Sequence, residues 1–291
     1  MQYSVFAGNN PVTLNPPPKK QIHISGTISF DDIKLKEISG AVSIGDDLWV
    51  VNDAGNSNSI YRIDKTSGKI VQEIKIINAA NVDWEEMTIS KTHLYIGDFG
   101  NNYGNRKNLR IYKISLADIS SSATEVTAEI ISFNYPDQTD FTKSANATDF
   151  DCEAMCFYNN ELHLFTKKWE TSGSTHYSVE VEEGYHVARK QNEIPVDFLV
   201  SGSCLSGNTL YLTGYDLHDF TVKIMSASFK ENELYIDNTF TAGDLLTLGQ
   251  VESIVLSSER GWLLSESTDM GFIHLPSRIN SFALQNAASA D

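Results

Sequence analysis

Two stretches of the chain, Asp83-Trp84-Glu85-Glu86-Met87 and Asp151-Cys152-Glu153-Ala154-Met155, share the pattern Asp-x-Glu-x-Met, and each opens an apolar strand. A second apolar run follows each of them, His93-Leu94-Tyr95-Ile96 after the first and Leu162-His163-Leu164-Phe165 after the other. Weaker copies of the same two-strand unit begin at Glu37-Ile38-Ser39-Gly40, Ser201-Gly202-Ser203-Cys204 and Gln250-Val251-Glu252-Ser253. The copies recur at roughly fifty residues, with one longer interval, and a period in this range marks a stacked or radial array. No single copy can bury its own apolar face, so the repeat argues for one closed domain rather than two.

Strand counting supplies the architecture. The first four repeats each provide four strands, but the fifth shows only three, at 252–256, 262–266 and 279–284. A donor for the missing strand stands at the other end of the chain, where residues 21–28 alternate apolar and polar with period two. Borrowing that strand joins the two ends of the chain and removes an open sheet edge. The expected fold is therefore all-β, a single five-bladed β-propeller closed by its N-terminal strand. A sixth blade would have to be cut from the longer second repeat, whose extra length lies in polar insertions at 101–107 and 115–127. In the third repeat the outer strands are expected at 176–182 and 186–192. The propeller then spans 21–285, between a Pro-rich tether at 1–20 and a short tail at 286–291. Such a tether often follows a removed export signal, which makes an exported protein (periplasmic, cell-surface or secreted) the expectation.

A formal charge of −16 and a pI near 4.8 oppose nucleic acid or an anionic membrane as partner, because both would repel the chain. No apolar run approaches the roughly 18 residues needed to span a bilayer. A monomer is expected. The cysteines, Cys152, Cys156 and Cys204, lack metal-site spacing and fall in inner strands, where small buried apolar residues belong. Cys152 and Cys156 share parity on their strand.

In a propeller the inner strand of each blade starts at the face where the second strand ends. That places the Asp-x-Glu motifs and the second-strand ends around one mouth of the central channel. Glu85, Glu153, Glu252, Asp83 and Asp151 are the candidate metal ligands, since converging carboxylates raise each other's pKa and a hard cation such as Ca²⁺ relieves them. The opposing reading is that Asp83 and Asp151 only accept backbone N–H groups from the next blade, locking blades together. Ser39, Asp53, Asp98, Lys167, Tyr215 and Glu266 are the candidate ligand-binding residues, a polar set with one aromatic, carried on loops above a rigid scaffold. Lys167 could hold an anionic substrate beside the cation, or merely neutralise the ring. Ser203 stands in the fourth repeat where others carry Glu. Neither Ser39 nor Ser203 sits in a Gly-x-Ser-x-Gly elbow, so triad chemistry is not expected. Asn146-Ala147-Thr148 fits a glycosylation acceptor.

Together, Glu37-Ile38-Ser39-Gly40, Asn52-Asp53-Ala54-Gly55-Asn56, Asp83-Trp84-Glu85-Glu86 and Ile96-Gly97-Asp98-Phe99-Gly100-Asn101-Asn102 resemble exported bacterial propellers, in particular the SdiA-regulated propeller family. More distantly the chain is similar to the esterase-like phytase and gluconolactonase-type propellers. The resemblance implies five blades and Ca²⁺ at the channel. Three functions follow as expectations. The first is a non-catalytic, exported propeller that binds Ca²⁺ and a small-molecule or glycan ligand. The second is a Ca²⁺-dependent hydrolase of an ester, lactone or phosphoester. The third is a glycoside hydrolase with two carboxylates drawn from Asp83, Glu153 and Glu252.

Overall fold

The computed structural model describes residues 20–230, 233–258, 260–269 and 274–283, and in it five blades of mainly antiparallel strands stand around one channel. Most of the tether, the tail and the final residue expected in the strand 279–284 lie outside the described residues. Blade one is built from Ile38–Ile44, Asp47–Asn52, Ser59–Ile63 and Ile70–Ile76. Blade two uses Trp84–Ile89, His93–Asp98, Leu109–Ser115 and Glu129–Asn134. Blade three uses Asp151–Tyr158, Glu161–Lys167, Ser174–Glu180 and Arg189–Ile194. Blade four uses Leu199–Ser206, Thr209–Tyr215, Thr221–Lys230 and Glu233–Asp244. No helix among the described residues is long and apolar enough to cross a membrane.

Blade five carries the closure. Val251–Leu256, Arg260–Ser265 and Arg278–Ala283 receive Ile24–Ser29 as their outer strand, antiparallel, with Ile24 opposite Phe282 and Ser29 opposite Arg278. The Thr27 hydroxyl donates to Asn280 Oδ1 at 2.8 Å across that seam. The inner strands touch in order around the whole circle, blade five against blade one included.

The outer edges depart from expectation. The stretch 186–192 is not one strand. Gly184–Val187 pairs in parallel with the outer strand of blade two, and only Arg189–Ile194 joins blade three. Likewise Glu125–Val126, inside the polar insertion, pairs with the outer strand of blade one, and Lys20–Gln21 with that of blade four. In each case the chain satisfies the exposed rungs of one blade just before it forms the outer strand of the next. An open edge is a template for aggregation, and these short parallel pieces cover it.

Burial follows the wedge shape. Each of the five apolar clusters is shared by two adjacent blades, as where Trp49 and Ile74 of blade one meet Trp84 and Tyr112 of blade two. Alternation therefore places one face of a strand toward the preceding blade and the other toward the following one, with apolar residues on both. Cys152 packs toward blade two while Cys156 packs toward blade four, although simple alternation gives them the same parity. A bulge between them reverses it. All three cysteines are free thiols.

Candidate metal centre at the channel mouth

That bulge is not isolated. The ladder between first and second strands slips at the same place in every blade, at Ser39, Glu85, Glu153, Ser201 and Glu252. A bulged residue has no partner across the ladder, so its side chain is freed from the pleat and can be re-aimed. Ser39, Glu85, Glu153 and Glu252 all line one small cavity at the mouth, about 50 Å³, with Asp53, Lys167 and Glu266. In blade four the bulge residue is Ser201, whose hydroxyl donates to the Val251 carbonyl; Ser203, the expected equivalent of the glutamates, lies two residues deeper.

Within the mouth the acids separate into groups. Asp53, Asp83 and Glu85 each offer a carboxylate oxygen within 4.8 Å of the others. Burial first, and the neighbouring Asp53 charge second, push the Asp83 carboxyl up to about 8. Burial and then the surrounding acids, Glu153 foremost, hold Glu85 well above the ordinary carboxylate range. Gly100 makes this crowding possible: a Cβ there would run into Glu85 Oε1 and come within 2.7 Å of Asp83 Oδ2. Asp53, expected among the ligand-binding residues, stands beside Asp83 and Glu85, two of the expected metal ligands.

The other acids have commitments. Asp151 accepts the Asn101 N–H at 2.5 Å and the Trp169 Nε1–H at 2.7 Å. The Asn101 bond crosses from blade two to blade three, so Asp151 acts as an inter-blade lock. Asp98 is buried and takes the Arg106 guanidinium at 2.8 Å, which in turn donates to the Gly100 carbonyl and lies 3.9 Å from Asp83. It shapes the Gly100 turn from behind instead of lining the mouth. Glu153 pairs with Lys167 at 3.3 Å, and the Lys167 ammonium lies 5.0 Å from the Trp169 ring centroid and 5.2 Å from that of Tyr215. Tyr215 thus reaches the site through Lys167. Glu252 accepts from Gln250 Nε2 at 2.6 Å, while burial and the adjacent Glu252 charge push Glu266 up to about 9. Asn146, in the glycosylation pattern, is exposed with a left-handed φ of 52°.

Motif reasoning does not single out Glu86, yet it is fully buried. Its carboxylate accepts the Ser203 N–H at 2.6 Å, reaching from blade two to blade four, as well as its own Met87 N–H at 2.9 Å. The signal lies in the aligned repeats: Gly40, Ala154, Gly202 and Ser253 occupy the same position, and only Glu86 is large. A Cβ on Gly40 would come within 2.8 Å of the Glu86 backbone, so the small residues let the inner strands close in around it. At the other end of the inner strands lies a cavity of about 200 Å³, its wall shared between apolar side chains such as Val42, Ile89 and Phe157 and polar groups that include Ser43, Thr88 and Ser203.

No protein-family model matches the chain, and no curated protein matches it. Among solved structures, a putative oxidoreductase (glucose dehydrogenase) from Thermus thermophilus matches over 89% of this chain and 99% of its own, with TM-score 0.51 and 8% identity. The hydrazine synthase of Kuenenia stuttgartiensis matches over 91% of this chain and 67% of its own, with TM-score 0.45 and 10% identity. The Thermus protein's likeness supports the propeller fold and nothing finer.

Proposed function

We propose that the protein binds one calcium ion at Asp53, Asp83 and Glu85 and, above it, a small polar ligand at the channel mouth. The carrying observation is the convergence of these three carboxylates within 4.8 Å. Such a set must hold either protons or a cation, because like charges at that separation oppose one another's ionisation. The donor chemistry suits a hard cation: every candidate is an oxygen, with no His or Cys among them. The Ser39 hydroxyl adds a neutral donor; it is buried without a hydrogen-bond partner and faces the same cavity. The volume supports an ion rather than an organic substrate within the cavity. About 50 Å³ holds an ion with a water or two, whereas organic ligands occupy pockets of roughly 300 Å³ or more. A ligand would sit above, within reach of Asn102, Gln250 and Glu266. The ion, when bound, supplies positive charge that draws ligand oxygens, while the chain holds its carboxylates in place through the bulges and the Gly100 turn. An exported location, where calcium is plentiful, accords with this reading.

Thermal melting with and without calcium tests it. Binding should stabilise the fold by about 2.7 kcal/mol at one hundred times Kd. Glu85→Gln and Gly100→Ala should each abolish the response, the first by removing a donor and the second by forcing the carboxylates apart. Identical melting curves for metal-free protein with and without added calcium would sink the proposal.

A further inference from the structure

We propose that Glu86 is a positioning residue for the ion: it gathers backbone N–H groups of three inner strands at the channel axis and so holds the adjacent Glu85 within reach of Asp53. The inference rests on the calcium reading above and deepens it by assigning what fixes the donor set.

An inner strand has a ladder partner on one side only, so alternate N–H groups point toward the axis, where they need an acceptor. Glu86 supplies it. Its Oε2 accepts the Ser203 N–H of blade four at 2.6 Å, and its Oε1 accepts the Met87 N–H of blade two at 2.9 Å. The Ala41 N–H of blade one is a third donor to the same carboxylate. All three donors hold equivalent places, two residues after the bulges at Ser201, Glu85 and Ser39. Ala41, Met87 and Ser203 line the lower cavity, whereas Glu85 lines the mouth cavity. Glu86, fully buried, stands between the two.

The tie to Ala41 matters most for the ion. Asp53 follows the second strand of blade one, while Asp83 and Glu85 open blade two. Their convergence within 4.8 Å needs these two blades held at a fixed separation, and Glu86 spans the same pair one residue from Glu85. The bulged Glu85 has no ladder partner to fix it, so the bonds of its neighbour do so instead. Groups that stand behind metal ligands set their orientation, and losing one weakens metal binding by about 10- to 100-fold. Both oxygens of Glu86 are needed, since each takes a different N–H. A Gln there offers one oxygen and turns its amide NH2 toward the other donor. An Ala, the residue blade three carries at this place, leaves the N–H groups facing a space that formate, with the same two oxygens, can fill.

Calcium affinity of the full chain, measured by titration calorimetry in sodium formate and in sodium chloride of equal ionic strength, tests the assignment. In chloride, Glu86→Ala and Glu86→Gln should each bind calcium about tenfold or more weakly than wild type. Formate should restore most of the affinity of Glu86→Ala, leave Glu86→Gln weak because its site is filled, and leave wild type unchanged. A residue that only stabilised the fold would lower the Tm of both metal-free variants without changing calcium affinity, and that result overturns the proposal. Weak binding by Glu86→Ala that formate does not restore overturns it as well, since the loss would then come from general loosening. If Glu86→Ala does not fold in either salt, Glu86→Gln decides: wild-type affinity there refutes the positioning role, and a loss of about tenfold in a folded protein upholds it. Failure of both variants to fold in either salt overturns it too, because the fold rather than the ion would then require Glu86. Wild type that binds no calcium defeats the calcium reading itself, which unaltered affinity in the variants does not.

Discussion

Raising the pH from about 5.5 to about 7.5 in the presence of a chelator should destabilise the protein, and calcium should remove most of that loss. Burial, together with neighbouring acids, pushes Asp83 up to about 8 and Glu266 up to about 9; burial pushes Glu252 up to about 7 against the opposing pull of Lys167. Each folded value lies above the ordinary carboxylate value. The ion-free fold therefore keeps protons that the unfolded chain has already released. Stability from such a group is fully present below about pH 4 and is lost as the pH rises through its folded value. Between those limits the loss is about 1.4 kcal/mol per pH unit for each proton retained. Glu252 and Glu266 line one cavity with Asp53 and Glu85, against which Asp83 is grouped, so these acids titrate as a set and one net proton is a conservative count. It corresponds to about 2.7 kcal/mol across two pH units. With calcium bound the carboxylates are ionised and that slope disappears. Urea unfolding at the two pH values, with chelator or with saturating calcium, measures both slopes, and any contribution from histidines elsewhere is common to both arms. Calorimetry in buffers of different ionisation heat should show about one proton released per ion bound. Equal pH slopes with and without calcium, or ion binding without proton release, would refute the reasoning.

Deleting residues 1–29 should remove the outer strand of blade five and expose the Arg278–Ala283 edge, producing aggregation or a large fall in Tm; a truncated chain that melts like the full one would remove the closure argument. His163 and His176 form a buried imidazole pair at 2.8 Å, and burial pushes them down to about 4 and about 3. Below about pH 6.5 the unfolded chain takes up protons that these rings refuse, so they lower stability as the pH falls, in the opposite sense to the mouth acids. An NMR titration should find both rings neutral at about pH 5, and a midpoint near 6.5 for either would contradict their burial.

Much of the architecture could be read without coordinates because it rests on period and count. Strand alternation is local, the Asp-x-Glu-x-Met units repeat it at a fixed interval, and an unpaired fourth position in the last repeat demands the strand at residues 21–28. The convergence of Glu85, Glu153 and Glu252 on the channel mouth followed from the same topology. Counting fails where an extra residue enters the strand. The bulges at Ser39, Glu85, Glu153, Ser201 and Glu252 reset parity, so Cys152 and Cys156 face different blades and Ser201 takes the place expected for Ser203. Period-two alternation carries no extra residue, so a parity count along the strand passes over the bulge. The short parallel strands at 125–126 and 184–187 escape the count as well, since they answer an edge on a different blade. The division of the acids belongs to the closed ring as well. Asp151 takes an N–H from the adjoining blade, Glu153 takes Lys167, and Asp53, Asp83 and Glu85 are left together around Gly100. The Asn101–Asp151 bond and the approach of Asp53 to Asp83 and Glu85 join separate repeats, whereas Glu153 and Lys167 meet within one blade. Which carboxylates end up paired and which crowded depends on distances that exist only once the blades have closed, because electrostatic and hydrogen-bond energies depend on separation in space and not along the chain.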